Sequence, residues 1–203
     1  GQIGYQGGWK KGLPDGRGTE YDPRTRHATY VGDYIAGKRH GNGTRYFDTG
    51  QIKYQGEWKK GAPDGHGTRY FDSGQIDYMG GWKDNLADGW GTAYDPKSGK
   101  QTYEGQYIAG KRHSIGTSYF GSGRIEYQGS WKQGSPDGHG TMHFDNGQRK
   151  YQGEWKSGWW DGHGAEYGPK SSNKTYEGHF ILGKRGGWGT SYFDSGQVEY
   201  QGE

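Results

Sequence analysis

The chain is built on a tyrosine that returns every 24 or 25 residues, followed two places on by glycine and four places on by a second ring. The leading tyrosines are Tyr5, Tyr30, Tyr54, Tyr78, Tyr103, Tyr127, Tyr151, Tyr176 and Tyr200. The second rings are Trp9, Tyr34, Trp58, Trp82, Tyr107, Trp131, Trp155 and Phe180. A Gly-x-Gly follows in the same phase, as Gly16/Gly18, Gly65/Gly67 or Gly162/Gly164, with Ser114 replacing the first glycine before Gly116. Self-similarity at such a period means one supersecondary unit per repeat, each burying its apolar face against its neighbours.

Alternation identifies the unit. Tyr, Gly and ring at positions 0, 2 and 4 share one face of a strand, with polar residues between. The bare glycine leaves room for a ring from the neighbouring unit. A second strand follows Gly-x-Gly, as in Thr68-Arg69-Tyr70-Phe71, and turns such as Phe71-Asp72-Ser73-Gly74 join an Asx acceptor to a glycine. The link Lys59–Gly65 is punctuated by Gly, Pro and Asp. The expected fold is all-β: an elongated, single-layer, twisted antiparallel meander of hairpins. No stretch is free of glycine long enough for a multi-turn helix.

A second period lies above the first. Tyr21-Asp22-Pro23, Tyr94-Asp95-Pro96 and Tyr167-Gly168-Pro169 are 73 residues apart, as are the Ile-x-Gly-Lys-Arg segments at Ile35, Ile108 and Ile181. Residues 1–203 therefore read as one continuous array of three-hairpin cassettes, 5–77, 78–150 and an incomplete 151–203. The sequence starts and stops inside a unit with no atypical end repeat, so it reads as a window on a longer array or a chain that assembles end to end.

Composition agrees with a thin aromatic structure. Forty-four Gly and 6 Pro would suit a disordered chain, but 9 Trp, 18 Tyr and 6 Phe with a net charge of only +3 do not. Near-balanced charge gives no bulk drive toward nucleic acid. The absence of Cys removes disulfides, thiolate metal sites and thiol nucleophiles. No apolar run is long enough to span a membrane as a helix, and the N-terminus lacks a signal pattern.

Tyr54-Gln55-Gly56-Glu57-Trp58-Lys59-Lys60-Gly61, followed by Asp64-Gly65-His66-Gly67-Thr68, resembles the MORN repeat (membrane occupation and recognition nexus), in eight full copies and a ninth begun. Tyr70–Ile76 is similar to the bacterial variant of that repeat. The resemblance implies an aromatic-lined groove and scaffolding through bound partner segments, in the cytoplasm at membranes or cytoskeletal structures. Phosphoinositide binding has been proposed for such repeats. Asn85, Ser114 and His143 depart from the pattern and put local turn geometry in question.

Two sets of residues are candidates for function. The ring row, Tyr5 to Phe180, is expected to form both the core and a strip for a helix or extended peptide. Lys38/Arg39, Lys111/Arg112 and Lys184/Arg185 recur with the cassette and could meet anionic headgroups. Asp15, Asp64, Asp88, Asp137 and Asp161 stand near the same phase and oppose that reading. Asp64/His66, Asp137/His139 and Asp161/His163 give two ligands per unit where zinc wants four, so no metal or other cofactor is expected. Gly-x-Gly lacks the third glycine and the helix of a nucleotide site, and a catalytic constellation is normally built once, from dissimilar residues. The chain is expected to be no enzyme. A protein partner, self-association and anionic lipid remain, with carbohydrate binding through exposed rings as an alternative of another class.

Overall fold

A computed structural model describes residues 4–170 and 172–203. Its strands fall in two compact units, one running to Gly99 with Ile108–Gly110, the other comprising Lys100–Tyr107 and Lys111–Glu203. The first carries β1 (Tyr5–Lys10), β2 (Leu13–Tyr21), β3 (Ala28–Ile35), β4 (Lys38–Tyr46), β5 (Ile52–Lys59), β6 (Ala62–Tyr70), β7 (Ile76–Lys83) and β8 (Leu86–Tyr94). The second is built on β9 (Gln101–Ile108), β10 (Lys111–Tyr119), β11 (Ile125–Lys132), β12 (Ser135–His143), β13 (Arg149–Lys156), β14 (Trp159–Tyr167), β15 (Lys174–Ile181), β16 (Lys184–Tyr192) and β17 (Val198–Gly202). Within each unit, consecutive strands pair antiparallel, and no described residue is helical. The chain is an all-β antiparallel meander of hairpins, as the alternation requires.

The second strand of each hairpin starts earlier than the sequence suggests. β6 begins at Ala62, not after Gly65-x-Gly67, so the apparent link is mostly strand. The reason is a bulge. Gly56 faces Gly67 and Trp58 faces Pro63, so Glu57 alone opposes Asp64, Gly65 and His66. Gly65 absorbs the extra length at φ 112°, where an L side chain is strained. What remains is a two-residue turn, Lys60-Gly61, with both φ values positive, at 53° and 96°. That is the hairpin turn whose twist matches the strands.

These turns are tied to the preceding hairpin. The Gly61 N–H donates to the Arg39 carbonyl at 2.8 Å, and Gly134 repeats the bond to Arg112 at 2.9 Å. Asn85 holds φ 69° and donates to the Pro63 carbonyl at 2.9 Å, so its departure from glycine leaves the turn intact. Asp15, Asp88, Asp137 and Asp161 each accept from the backbone N–H of the next tight turn, at Ala36, Ala109, Ser157 and Leu182, over 3.1–3.3 Å. The 25-residue repeats place their extra residue in the longer loops. In two of these, Asp22 accepts two backbone N–H groups and Asp95 does the same. Those bonds hold both carboxyls below the ordinary aspartate range.

Leu182 holds a tight turn as a large apolar residue at φ 48° with 65% of its surface exposed. Leu182→Asn would create Asn-Gly, the dipeptide best suited to this turn, and is expected to stabilise the second unit by about 0.5–1 kcal/mol. A rise in melting temperature tests this, and a fall would mean that the leucine is held by contacts.

Candidate functional site

The rings form a ladder of edge contacts. Tyr54 meets its own second ring and that of the next hairpin, lying 5.2 Å from Trp58 and 5.3 Å from Trp82, at 89° and 86°. Tyr30, Tyr103 and Tyr127 repeat both contacts at 5.0–5.3 Å. Edge-to-face geometry at this distance is favourable beyond the buried area. The polar ends are satisfied locally. The Tyr54 hydroxyl donates to the Glu57 carbonyl at 3.1 Å, and the same bond occurs at Tyr30, Tyr78, Tyr103, Tyr127, Tyr151 and Tyr176. Trp58, Trp82 and Trp131 each donate their indole N–H to Gly43, Gly67 and Gly116 carbonyls at 3.0 Å.

The glycines are the floor of this ladder. Gly56 and Gly67 face each other across β5 and β6, and the Tyr54 ring lies over both. A Cβ on Gly67 would overlap Oη, Cζ and Cε2 of that ring. The fixed glycine phase is therefore a packing requirement, but the ring it admits is the hairpin's own tyrosine and not, as expected, one from the neighbouring unit.

Every expected groove aromatic from Tyr30 to Phe180 is buried, three tyrosines completely. Tyr5 is half-buried, and Trp9, in edge contact with Tyr5, is 59% exposed. In four hairpins the residue nine places after the tyrosine lies over the core on this face. Arg39, Arg112 and Arg185 set their guanidinium carbons 4.7, 4.6 and 4.9 Å from the Tyr30, Tyr103 and Tyr176 centroids. Arg39 also pairs with Glu20 at 2.8 Å, and Arg185 with Glu166 at 2.8 Å. Trp160 takes this place in another hairpin and stacks on Tyr151 at 4.5 Å with the rings 5° apart. The arginines of the basic pairs are thus committed to the ring face, while Lys38, Lys111 and Lys184 stay exposed at the turns, Lys111 donating to Gln133 at 3.0 Å.

The opposite face is open. In the second unit it holds a cavity of about 520 Å³, floored by backbone at Gly129/Gly140 and Gly153/Gly164. Gln128, Gln152 and Thr141 line it, together with His139, His163 and Glu154. Among the described residues, no three metal-ligating side chains converge. His163 instead meets His179 edge-on at 5.7 Å. His143, in place of a tyrosine, buries an Nδ1 without a hydrogen-bond partner, and burial lowers its pKa.

Sequence reasoning weighed only the histidines, as metal ligands, at the position between the paired glycines. The residue there is Arg17, Asn42, His66, Trp90, Ile115, His139, His163 and Trp188 in turn. Trp90, Ile115 and Trp188 are 53%, 64% and 63% exposed. The available signal was variation itself: in a repeat where neighbouring positions are fixed, this one ranges from arginine to tryptophan.

The family model for the MORN repeat matches the chain eight times, at residues 5–24, 30–52, 54–76, 78–100, 103–123, 127–149, 151–172 and 176–198. No curated protein matches the chain.

Proposed function

The chain belongs to the MORN-repeat family, and from that premise we propose that it is a non-catalytic scaffold that binds a protein partner along its sheet. One observation carries this reading. Trp90 in the first unit and Trp188 in the second stand exposed on the face away from the core. The fold does not need an indole there, because Arg17, Asn42 and His66 occupy the same phase. A large apolar side chain on an otherwise polar surface marks contact with another molecule. Met79 and Ile115, on the same faces, add to it.

The absence of catalysis rests on repetition and on the uses already found for the acidic residues. Asp137 and Asp161 cap turns, and their neighbours His139 and His163 stand on an open polar surface. Among the described residues, no dissimilar nucleophile, base and orienting group are assembled in one place.

The test is retention of proteins from an extract of the source cells by the immobilised full chain and by a Trp90→Lys/Trp188→Lys variant. With near-UV circular dichroism and melting unchanged, loss of a retained protein from the variant supports the scaffold. Identical retention by both overturns the assignment to this face. Sedimentation velocity adds whether the partner is a second copy, since assembly would then fall to monomer in the variant.

A further inference from the structure

On the ring face of the first unit lies a cavity of about 260 Å³ that breaks the repeat in charge. Arg45, Lys53 and Arg69 line it, over the edges of Tyr54, Trp58 and Trp82. Register explains the convergence. Arg45 faces Tyr54 across β4 and β5, and Arg69 faces Tyr78 across β6 and β7, so both arginines point to the ring side. They stand two strands apart, about 10 Å.

At this phase the other hairpins carry Glu20, Ala93, Ser118, Met142, Glu166 and Ser191. Glu20 and Glu166 there neutralise arginines of the following hairpins. Only Arg45 and Arg69 put positive charge in that place. Arg69 is paired with Asp77 and reaches over Trp82 at 5.2 Å. Lys53 lies over the Phe47 ring at 5.0 Å. Arg45 makes no ion pair among the described residues. Three cations thus share one carboxylate over an aromatic floor.

The duplication supplies an internal control. Seventy-three residues on, the equivalents are Ser118, Glu126 and Met142, and Ser118 donates to Glu126 at 3.1 Å. The same backbone frame closes without the cations, so folding does not require them.

We propose that this cavity docks an acidic peptide segment of the protein partner, with two carboxylates a few residues apart meeting Arg45 and Arg69 and an apolar side chain resting on the ring edges. This deepens the scaffold reading and rests on it. Charge complementarity sets the occupant: the guanidinium fork matches carboxylate, and the separation of the two arginines suits two groups on one chain. One phosphate headgroup spans only one of them, and Asp77 beside Arg69 disfavours a dianion.

The experiment uses the full chain and fluorescence anisotropy of a labelled peptide alternating Glu and Leu, beside the same peptide with Gln for Glu. The triple variant Arg45→Ser/Lys53→Glu/Arg69→Met carries residues the fold already accepts in its second copy. Wild-type protein is expected to bind the Glu peptide in a salt-sensitive way, with about a tenfold loss in the variant and no preference for the Gln peptide. The reverse graft, Ser118→Arg/Glu126→Lys/Met142→Arg, is expected to raise the stoichiometry, and it keeps the proposal testable if the first variant misfolds. Equal binding of the Glu peptide by wild type and triple variant overturns the proposal. So does undetectable binding, or co-sedimentation with phosphatidylserine vesicles that needs the three cations when the peptide does not bind. In each failure, a partner still lost from the Trp90/Trp188 variant leaves the scaffold standing, whereas unchanged retention there removes that reading as well.

Discussion

Gly67→Ala is expected to unseat Tyr54 and destabilise the first unit by about 3–5 kcal/mol, the range of losing a buried ring. The added Cβ would sit inside the tyrosine ring, and no small shift clears it because Gly56 lies directly across the strand pair under the same ring. Expelling the ring also strips Trp58 and Trp82 of an edge contact and leaves the Glu57 carbonyl without the tyrosine hydroxyl. Gly61→Ala is the control: a Cβ there meets open space, and the cost is only that of φ 96°, about 1 kcal/mol. Thermal melting ranks the two, and limited proteolysis locates the damage. Cleavage should concentrate around β5–β7, since repeat stability is summed from nearest-neighbour interfaces. Equal effects at the two positions, or uniform cleavage along the chain, would contradict the ring-on-glycine account.

That prediction draws on the part of the fold most legible in the sequence. Tyr54, Gly56 and Trp58 alternate on one strand, and a period of two is visible without structure. The tight turn was hidden for a local reason. The strongest sequence signal for it is Asn-Gly or Asp-Gly, yet this chain uses Lys11, Ala36, Lys60 and Leu182 in the first position. The turns at Ala36, Lys60 and Leu182 are held in the left-handed region by partners one hairpin away, such as the Arg39 carbonyl for the Lys60-Gly61 turn. No local pattern records a contact of that kind.

The basic pairs show a different limit. Lys38 and Arg39 read as one patch of charge, but adjacent strand residues face opposite ways. Lys38 closes the turn against Ile35, while Arg39 faces Tyr34 and lies over the Tyr30 ring. Applying the same alternation to the second strand would have separated them. Pairing Arg39 with Glu20 could not have been read, because it needs the register of three strands. The candidate surfaces follow the same rule: the core was legible because it repeats, and Trp90 or Arg45 was not, because each matters by breaking the repeat.

The alkaline limit of the fold should be set by the tyrosines that form its core. Burial pushes the Tyr30 and Tyr151 hydroxyls up to about 12, and raises Tyr54, Tyr103 and Tyr127 further. Arg39 opposes the shift at Tyr30, while Asp33 and Glu20 reinforce it. The unfolded chain ionises near the ordinary tyrosine value of about 10. Below that pH both states hold the proton and the stabilisation is complete. Above it the unfolded state releases protons that the folded state keeps, so stability falls as pH rises and is lost by the folded pKa. Each buried tyrosine contributes a slope of about 1.4 kcal/mol per pH unit, so five acting together make the transition steep. Tyrosinate absorbance and near-UV circular dichroism should therefore change together between about pH 10 and 12, with no stability loss from this source below about pH 10. If the five hydroxyls ionised near pH 10 with the ring signal intact, the ladder would be solvent-accessible and the account of the core would fail.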